Sequence, residues 1–216
     1  MKKASIIAHR GLWSHEIKAN SKQALTSALQ MGFGLETDIR DYSGELIISH
    51  DPPTTSSSLT PLRWLTNVYA MSKSNSRIAL NIKSDGLNDM INQSLHSLGL
   101  NNENIFAFDM SIPDMIRYID GPTSIYSRVS EFEEQILFEE KVHGVWVDNF
   151  QGGFDQLKCA KKALDMGLRA TIVSSELHSR DHRPLWLDIL NSKIYKHPYF
   201  EICTDFPVQA SEQFCN

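Results

Sequence analysis

Short apolar runs alternate along this chain with longer amphipathic segments. The apolar runs are typical of buried strands, and the segments between them have the three- and four-residue spacing of helices that bury one face. Eight strands are predicted, at Ser5–Ala8, Gly34–Ile39, Arg77–Ile82, Asn104–Phe108, Thr123–Ser127, Gly144–Val147, Arg169–Val173 and Phe200–Cys203. Helices are predicted at Ser21–Met31, Leu87–Leu98, Ile112–Ile119, Glu131–Glu140, Phe154–Met166, Arg183–Leu190 and Val208–Phe214.

This alternation predicts an α/β protein whose strands pair in parallel through right-handed crossovers. Eight strand–helix units favour a single-domain (β/α)8 TIM barrel over residues 1–216, and a doubly wound open sheet is the alternative. Such barrels have about 250 residues and at least about 200, so 216 residues leave little room for a second domain. Asp51–Ser76 is predicted to be a short insertion between strands 2 and 3, with a short helix that has Thr60 as N-cap and Pro61 as first residue.

Turn and cap residues add local detail. Either Asn20 or Ser21 is expected to cap the first helix, because both side chains accept hydrogen bonds from helical N–H groups. Gly44 is predicted to be the turn of a hairpin between Asp41–Ser43 and Glu45–Ser49. This hairpin would bring His50 to the end of an apolar strand.

Composition and charge exclude several classes of protein. The formal net charge of −5 argues against nucleic-acid binding, which requires a basic surface. The three cysteines have no paired spacing, which favours a reducing compartment. The apolar run at the N-terminus is too short for a signal peptide, and no run is long enough to span a membrane. We therefore expect a cytoplasmic protein without a membrane partner; the sequence does not predict its oligomeric state.

Two carboxylates lie two residues apart on the second predicted strand. Glu36 and Asp38 would therefore face the same way, into the barrel. Buried carboxylates so close together repel each other, and a divalent cation with oxygen ligands, Mg²⁺ or Ca²⁺, would relieve that repulsion. The alternatives are that this strand lies at an edge or that a lysine pairs with the carboxylates.

Two histidines follow predicted strands. His9-Arg10-Gly11 comes directly after the first strand, and His50 follows the hairpin. A pair of histidines suits general acid–base catalysis, in which one takes a proton and the other protonates a leaving oxygen. Asn81 and Lys83, at the end of the third strand, could supply an amide ligand for a hard cation and a charge for a phosphate oxygen.

The order of these elements resembles the glycerophosphodiester phosphodiesterases. The elements are His9-Arg10-Gly11, Asn20, Glu36-x-Asp38, His50-Asp51, Lys83 and Thr204-Asp205-x-Pro207. The resemblance covers nearly the whole chain, and its most specific part is residues 6–51. It implies a (β/α)8 barrel in which His9 and His50 act as acid and base. It further implies that Glu36 and Asp38 bind Ca²⁺ or Mg²⁺, and that Arg10 and Lys83 contact the phosphate.

The chain departs from the family pattern at two strand ends. The family usually has a glutamate two residues before the lysine, where this chain has Asn81, so the metal should bind more weakly or recruit another ligand such as Glu176. The family's tryptophan motif after the seventh strand is replaced by the polar segment Ser174–Arg180. Further candidates for substrate contacts stand at predicted strand ends: Asp109, Arg128, Asp148 and Asn149.

The sequence thus predicts a metal-dependent phosphodiesterase that cleaves a glycerophosphodiester, as in lipid metabolism, or a related small diester to an alcohol and a phosphomonoester. The changed strand ends suggest a different substrate, and a nucleotide-linked or polysaccharide-linked diester is one alternative. Two further alternatives remain. One is a non-catalytic descendant that binds a phosphorylated metabolite, and the other is a different metal-assisted hydrolase such as a phosphomonoesterase.

Overall fold

The computed structural model describes residues 5–54, 59–72, 75–100 and 103–215. The strands are β1 (Ser5–His9), β2 (Gly34–Tyr42), β3 (Glu45–Ile48), β4 (Thr60–Pro61), β5 (Ile78–Ile82), β6 (Ile105–Phe108), β7 (Ser124–Val129), β8 (Gly144–Val147), β9 (Arg169–Val173) and β10 (Phe200–Thr204). The helices are α1 (Lys22–Gln30), α2 (Leu62–Ser72), α3 (Asn88–His96), α4 (Ile112–Ile119), α5 (Gln156–Asp165), α6 (Arg183–Ser192) and α7 (Pro207–Phe214). Single 3-10 turns form at Ser175–His178 and Ile194–Lys196.

The strands form one sheet whose order closes on itself. Neighbouring strands follow the order β1-β10-β9-β8-β7-β6-β5-β2, and β1 also pairs with β2. Closure of these eight strands confirms the predicted (β/α)8 barrel over the open doubly wound sheet. Strand β3 pairs antiparallel with β2, and β4 pairs antiparallel with β3, so these two strands lie outside the barrel order.

The chain divides into two compact units, His9–Ile125 and Met1–Ala8 with Tyr126–Asn216. In the unit His9–Ile125, α1 packs on β2 and on α2, and α2 packs on β3. Its core includes the fully buried side chains of Leu25, Leu35 and Phe106.

In the second unit, α5 packs on β8 and β9 through the fully buried Ala160 and Ala163. The rings of Trp186 and Phe214 meet edge-on with centroids 5.4 Å apart. The prediction that residues 1–216 form one domain stays a prediction.

The hairpin predicted around Gly44 is confirmed. Strands β2 and β3 pair antiparallel, and the two residues between them, Ser43 and Gly44, have φ values of 51° and 79°. Two positive φ angles in a two-residue loop match the twist of the flanking strands. The hairpin thereby delivers His50 two residues beyond the end of β3.

The helix predicted at Glu131–Glu140 is wrong, because this segment forms turns. Its charged side chains bond to other loops: the Glu131 carboxylate accepts the backbone N–H groups of Phe150 and Gln151 at 3.1 and 2.5 Å. Ser130 and Glu133 exchange two backbone hydrogen bonds, and Phe138 has a φ of 52°, which no helix tolerates. Tertiary hydrogen bonds therefore stabilise turns here, although the apolar residues have a helical spacing.

The insertion between the second and third barrel strands differs from its prediction. Thr60–Pro61 pairs with β3 rather than capping a helix, and α2 begins at Leu62 and continues to Ser72. Part of the predicted insertion, residues 55–58 and 73–74, lies outside the described residues. For the first helix, Ser21 is the N-cap, since its Oγ accepts the N–H of Ala24.

Among the helices of the described ranges, none is long and apolar enough to cross a membrane.

Candidate active site

The two carboxylates of β2 are buried and differ in their partners. Glu36 is 1% exposed and Asp38 is fully buried. The Asp38 carboxylate lies between two cations, with Arg10 Nε 2.9 Å from Oδ2 and Lys83 Nζ 3.3 Å from Oδ1. A lysine pairing with the carboxylates, one of the alternatives to a metal, is therefore present at Asp38.

Asn20 also holds Asp38 in place. Its Nδ2 donates to Asp38 Oδ2 at 2.7 Å, and its Oδ1 accepts from Thr37 Oγ1 at 2.8 Å. Asn20 adopts a left-handed backbone conformation with φ 59°, which asparagine tolerates better than most residues. The resemblance included Asn20, whereas reasoning from residue type assigned it only a possible capping role.

Glu36 is the more strongly perturbed of the two carboxyl groups. Its pKa is raised from 4.5 to about 7, chiefly by burial and then by the negative charge of Asp38, while the positive charges of His9 and Arg10 oppose the shift. Its Oε2 accepts the backbone N–H of Arg10 at 3.3 Å and lies 3.8 Å from His9 Nε2. Few donors among the described residues therefore stabilise the negative charge of Glu36, as expected for a carboxylate that would bind a cation.

Asn81 stands next to Asp38 in the sheet. The two residues are register partners on the parallel strands β5 and β2, so their side chains leave the sheet on the same side. Asn81 Oδ1 and Asp38 Oδ1 are both buried, and neither accepts a hydrogen bond from the described residues. Buried polar oxygens without donors are costly, and Mg²⁺ and Ca²⁺ prefer carboxylate and amide oxygens. The donor set therefore fits a hard divalent cation.

This set contains two carboxylates and one amide. Within the described part of the chain, no group of three or more His, Cys, Asp or Glu side chains could hold a metal ion. Glu176, the candidate additional ligand, belongs to the 3-10 turn after β9. Its carboxylate accepts hydrogen bonds from Ser174 Oγ at 2.5 Å, from Asp205 N at 3.0 Å and from Thr204 Oγ1. Its role as a metal ligand stays a prediction.

The loop after β1 is fixed by a close approach of two backbones. A Cβ at Gly11 would lie 2.6 Å from the main-chain carbon of Ala24, and Gly11 has φ 86°, so only glycine fits. The preceding residue, Arg10, also has a positive φ of 56°. This tight turn directs the guanidinium of Arg10 back to Asp38 of β2.

His50 is oriented by its neighbour. Its Nδ1 lies 2.8 Å from Asp51 Oδ1, and half of the His50 side chain is exposed. A carboxylate bonded to one ring nitrogen favours the proton on that nitrogen and leaves Nε2 able to accept a proton. This arrangement suits a general base or acid.

The remaining candidates occupy different environments. Asp109 follows β6 with a left-handed φ of 69°. Arg128 is paired through Nε with Glu133 Oε2 at 2.6 Å. Asn149 structures its own loop, since its Oδ1 accepts the N–H of Gly152 at 2.8 Å. Asp148 lies 2.6 Å from His178 Nε2.

His178, the partner of the predicted substrate-contact residue Asp148, was not itself predicted as a site residue. The ring edge of Phe150 also packs against it, with centroids 5.0 Å apart. The polar character of Ser174–Arg180 was the available signal in the sequence.

Comparison with known proteins supports the fold. No family model and no curated protein matches the sequence. A structure assigned as a glycerophosphodiester phosphodiesterase from Galdieria sulphuraria is similar over 100% of this chain and 99% of its own, with TM-score 0.75 and 14% identity. The glycerophosphodiester phosphodiesterase of Thermotoga maritima is similar over 98% and 99%, with TM-score 0.68 and 15% identity.

The same fold also occurs in an enzyme of different chemistry. The tryptophan synthase α-subunit of Pyrococcus furiosus is similar over 98% of this chain and 92% of its own, with TM-score 0.55 and 11% identity. A barrel fold does not by itself define an activity. The resemblance indicated by the sequence is thus confirmed at the level of the fold, which this chain shares with glycerophosphodiester phosphodiesterases at low sequence identity.

Proposed function

We propose that this protein is a metal-assisted phosphodiesterase that hydrolyses a glycerophosphodiester or a related small diester to an alcohol and a phosphomonoester. One observation carries the proposal: the register partners Asp38 and Asn81 each have a buried Oδ1 that accepts no hydrogen bond from the described residues, and Asp38 also lies between the cations Arg10 and Lys83. A cation site flanked by two positive side chains is suited to a phosphate group.

The charges of the site support an anionic substrate. Arg10 and Lys83 both pair with Asp38, and only the ionised form of Glu36 would balance the second of these positive charges. Glu36, Asp38 and Asn81 would hold a divalent cation, which would supply further positive charge to the site beside Arg10 and Lys83. Both could then donate hydrogen bonds to phosphate oxygens, where charge grows during the displacement.

Two histidines supply the proton transfers. In the reaction, the oxygen of water attacks phosphorus and loses its proton to one histidine. The other histidine gives a proton to the departing alcohol oxygen as the phosphorus–oxygen bond breaks. Where a neighbouring substrate hydroxyl attacks instead, the first product is a cyclic diester, which water then opens to the phosphomonoester. His9, near Glu36, and His50, oriented by Asp51, are the groups proposed for these roles. The divalent cation, when bound, supplies additional stabilisation of the phosphate charge.

A panel of substrates tests this function. Glycerophosphodiesters and nucleotide-linked and polysaccharide-linked diesters are incubated separately with Mg²⁺, Ca²⁺ and Mn²⁺, and released alcohol and phosphomonoester are measured. The proposal expects at least one diester to be cleaved and EDTA to abolish the cleavage. Simple phosphomonoesters serve as controls, and cleavage of monoesters alone would point to a phosphomonoesterase.

The proposal also includes substrates that derive from lipids and a cytoplasmic location for the protein.

Asn81 favours a second candidate, a non-catalytic protein that binds a phosphorylated metabolite. The amide gives the cation site one negative charge less than a carboxylate would. Calorimetry of wild type and Glu36→Gln with Mg²⁺ and Ca²⁺ separates the two candidates. Binding of a divalent cation by the wild type, weakened in the variant, supports the enzyme. Absence of binding at millimolar concentration supports the second candidate.

A further inference from the structure

Arg40 joins two segments of the candidate active site through their main chains. Its Nε donates to the carbonyl oxygen of His50 at 3.0 Å, and its Nη1 donates to the carbonyl oxygen of Lys83 at 2.9 Å. The first partner is ten residues away along the chain and the second is 43 residues away. We propose that Arg40 is a positioning residue that sets where His50 and Lys83 stand relative to Asp38, and this inference rests on the proposed function.

The local geometry explains why one side chain can reach both segments. On one side of β2, Ser49 N–H donates to Asp38 O at 3.0 Å; on the other, Lys83 N–H donates to Ile39 O at 2.9 Å. After these bonds, the segment that follows β3 and the segment that follows β5 are no longer part of the sheet. The guanidinium of Arg40 spans the two departing chains at that point.

The chemistry of the guanidinium suits this task. It is planar and permanently charged, and its donors point in fixed directions, so two carbonyl oxygens are held at a fixed separation. Hydrogen bonds from a charged donor are about twice as strong as those between neutral groups. A lysine carries the same charge but concentrates it on one nitrogen, and it cannot reproduce the fork.

Both anchored residues have proposed roles that depend on accurate placement. Lys83 Nζ reaches Asp38 Oδ1 at 3.3 Å, and the His50 ring is bonded to Asp51. Arg40 itself bonds to main-chain atoms, so its effect on a reaction would pass through these two residues. A displacement of about 1 Å in reacting groups can cost about 100-fold in rate.

Arg63, in α2, offers a matched control next to the hairpin. It forms an exposed ion pair with Glu45 of β3 at 3.0 Å. Arg63→Ala therefore removes an arginine and an ion pair to the hairpin without touching the carbonyl groups of His50 or Lys83. It should leave the positions of both segments unchanged.

The test measures kinetics and amide hydrogen exchange in Arg40→Gln, Arg40→Lys, Arg63→Ala and wild type. In both Arg40 variants kcat should fall by roughly 10- to 100-fold, with KM within about threefold. The amides of Ser49 and Lys83 should exchange at least about tenfold faster. Arg63→Ala should match the wild type in both measurements. Full activity in Arg40→Lys, or faster exchange without loss of kcat, would overturn the proposal.

The kinetic constants and the amide exchange rates together distinguish a failure of this inference from a failure of the proposed function. If the wild type cleaves none of the diesters, the proposed function fails, and exchange alone decides whether Arg40 positions these segments. Faster exchange at Ser49 and Lys83 in the folded variants then supports positioning, and unchanged exchange overturns it. Comparison of urea midpoints between Arg40→Lys and Arg63→Ala shows whether the variants remain folded.

Discussion

Asp38 and Asn81 lie side by side in register on neighbouring parallel strands, and each has a buried Oδ1 that accepts no hydrogen bond from the described residues. In a packed interior such oxygens normally have donors. Lys83 compensates the charge of Asp38, whereas the amide oxygen of Asn81 has no such compensation. This pair is part of the cation site proposed for Glu36, Asp38 and Asn81.

A third carboxylate at position 81 should strengthen cation binding. In Asn81→Glu the side chain adds a negative charge next to Asp38, and we expect Mg²⁺ or Ca²⁺ to bind about ten times more tightly. Titration calorimetry measures the change. Asn81→Gln is the control, because it has the same length as glutamate without the charge. Equal affinity in Asn81→Glu and Asn81→Gln would show that the cation is not held at this position.

The buried carboxyl of Glu36 should make the metal-free protein less stable as pH rises. Its pKa is about 7 in the folded protein and near the ordinary 4.5 when unfolded, so the folded state binds its proton more tightly. The advantage is complete below pH 4.5 and is lost as pH rises to about 7. It amounts to about 3 kcal/mol of unfolding free energy.

Urea unfolding in EDTA, compared between wild type and Glu36→Gln from pH 4 to 8, measures this contribution. The glutamine is neutral throughout, so the difference between the two unfolding free energies isolates Glu36 from other titrating groups. The wild type should lose stability relative to the variant as pH rises. A constant difference across the range would contradict the shifted pKa. With a divalent cation present, the trend should weaken or reverse, because the metal requires the ionised carboxylate.

A buried network around Glu201 should stabilise the protein without contributing to activity. Glu201 is fully buried and accepts hydrogen bonds from Arg169 Nε at 2.8 Å, Thr171 Oγ1 at 2.7 Å and Tyr126 Oη at 3.1 Å. Arg169→Met would leave a buried carboxylate without its cation and should cost about 3 kcal/mol of unfolding free energy. Chemical denaturation measures the loss, and kcat below the melting temperature should remain that of the wild type.

The exposed ion pair between Arg183 and Asp181 provides the comparison for this variant. Arg183→Met removes a cation of the same type from a solvated position and should leave stability nearly unchanged. If Arg169→Met and Arg183→Met unfold at the same urea concentration, the Glu201 network is not a source of stability.

Much of the barrel was predictable because its strands repeat a simple pattern. Continuous apolar runs such as Gly144–Val147 and Arg169–Val173 became strands with the predicted bounds. The helix prediction for Glu131–Glu140 was wrong because the conformation of this segment depends on hydrogen bonds to residues distant in sequence, such as Phe150. A local sequence pattern does not contain this information. The pairing of Thr60–Pro61 with β3 is non-local in the same way.

The site could be predicted in part from the two-residue period of β2. That period places Glu36 and Asp38 on one face. Arg40 was not predicted to share this face because the predicted strand ended at Ile39, whereas β2 continues to Tyr42. The bonds from Arg40 to two carbonyl groups require the tertiary structure, since main-chain partners have no sequence signature. Arg10 and Lys83 were predicted as phosphate ligands, and a lysine paired with the carboxylates was an open alternative. The structure shows that both cations pair with Asp38.

Phosphorus NMR of a diester incubated with a divalent cation and wild type, His9→Ala or His50→Ala decides whether this site hydrolyses diesters through its two histidines. We predict that the wild type converts the diester to a phosphomonoester, and that each variant loses at least about 100-fold in kcat. Binding of the divalent cation, measured by calorimetry, should persist in His50→Ala because His50 is outside the proposed ligand set. Wild-type turnover in both histidine variants, or an intact diester with the wild type across the whole panel, would contradict the proposed function.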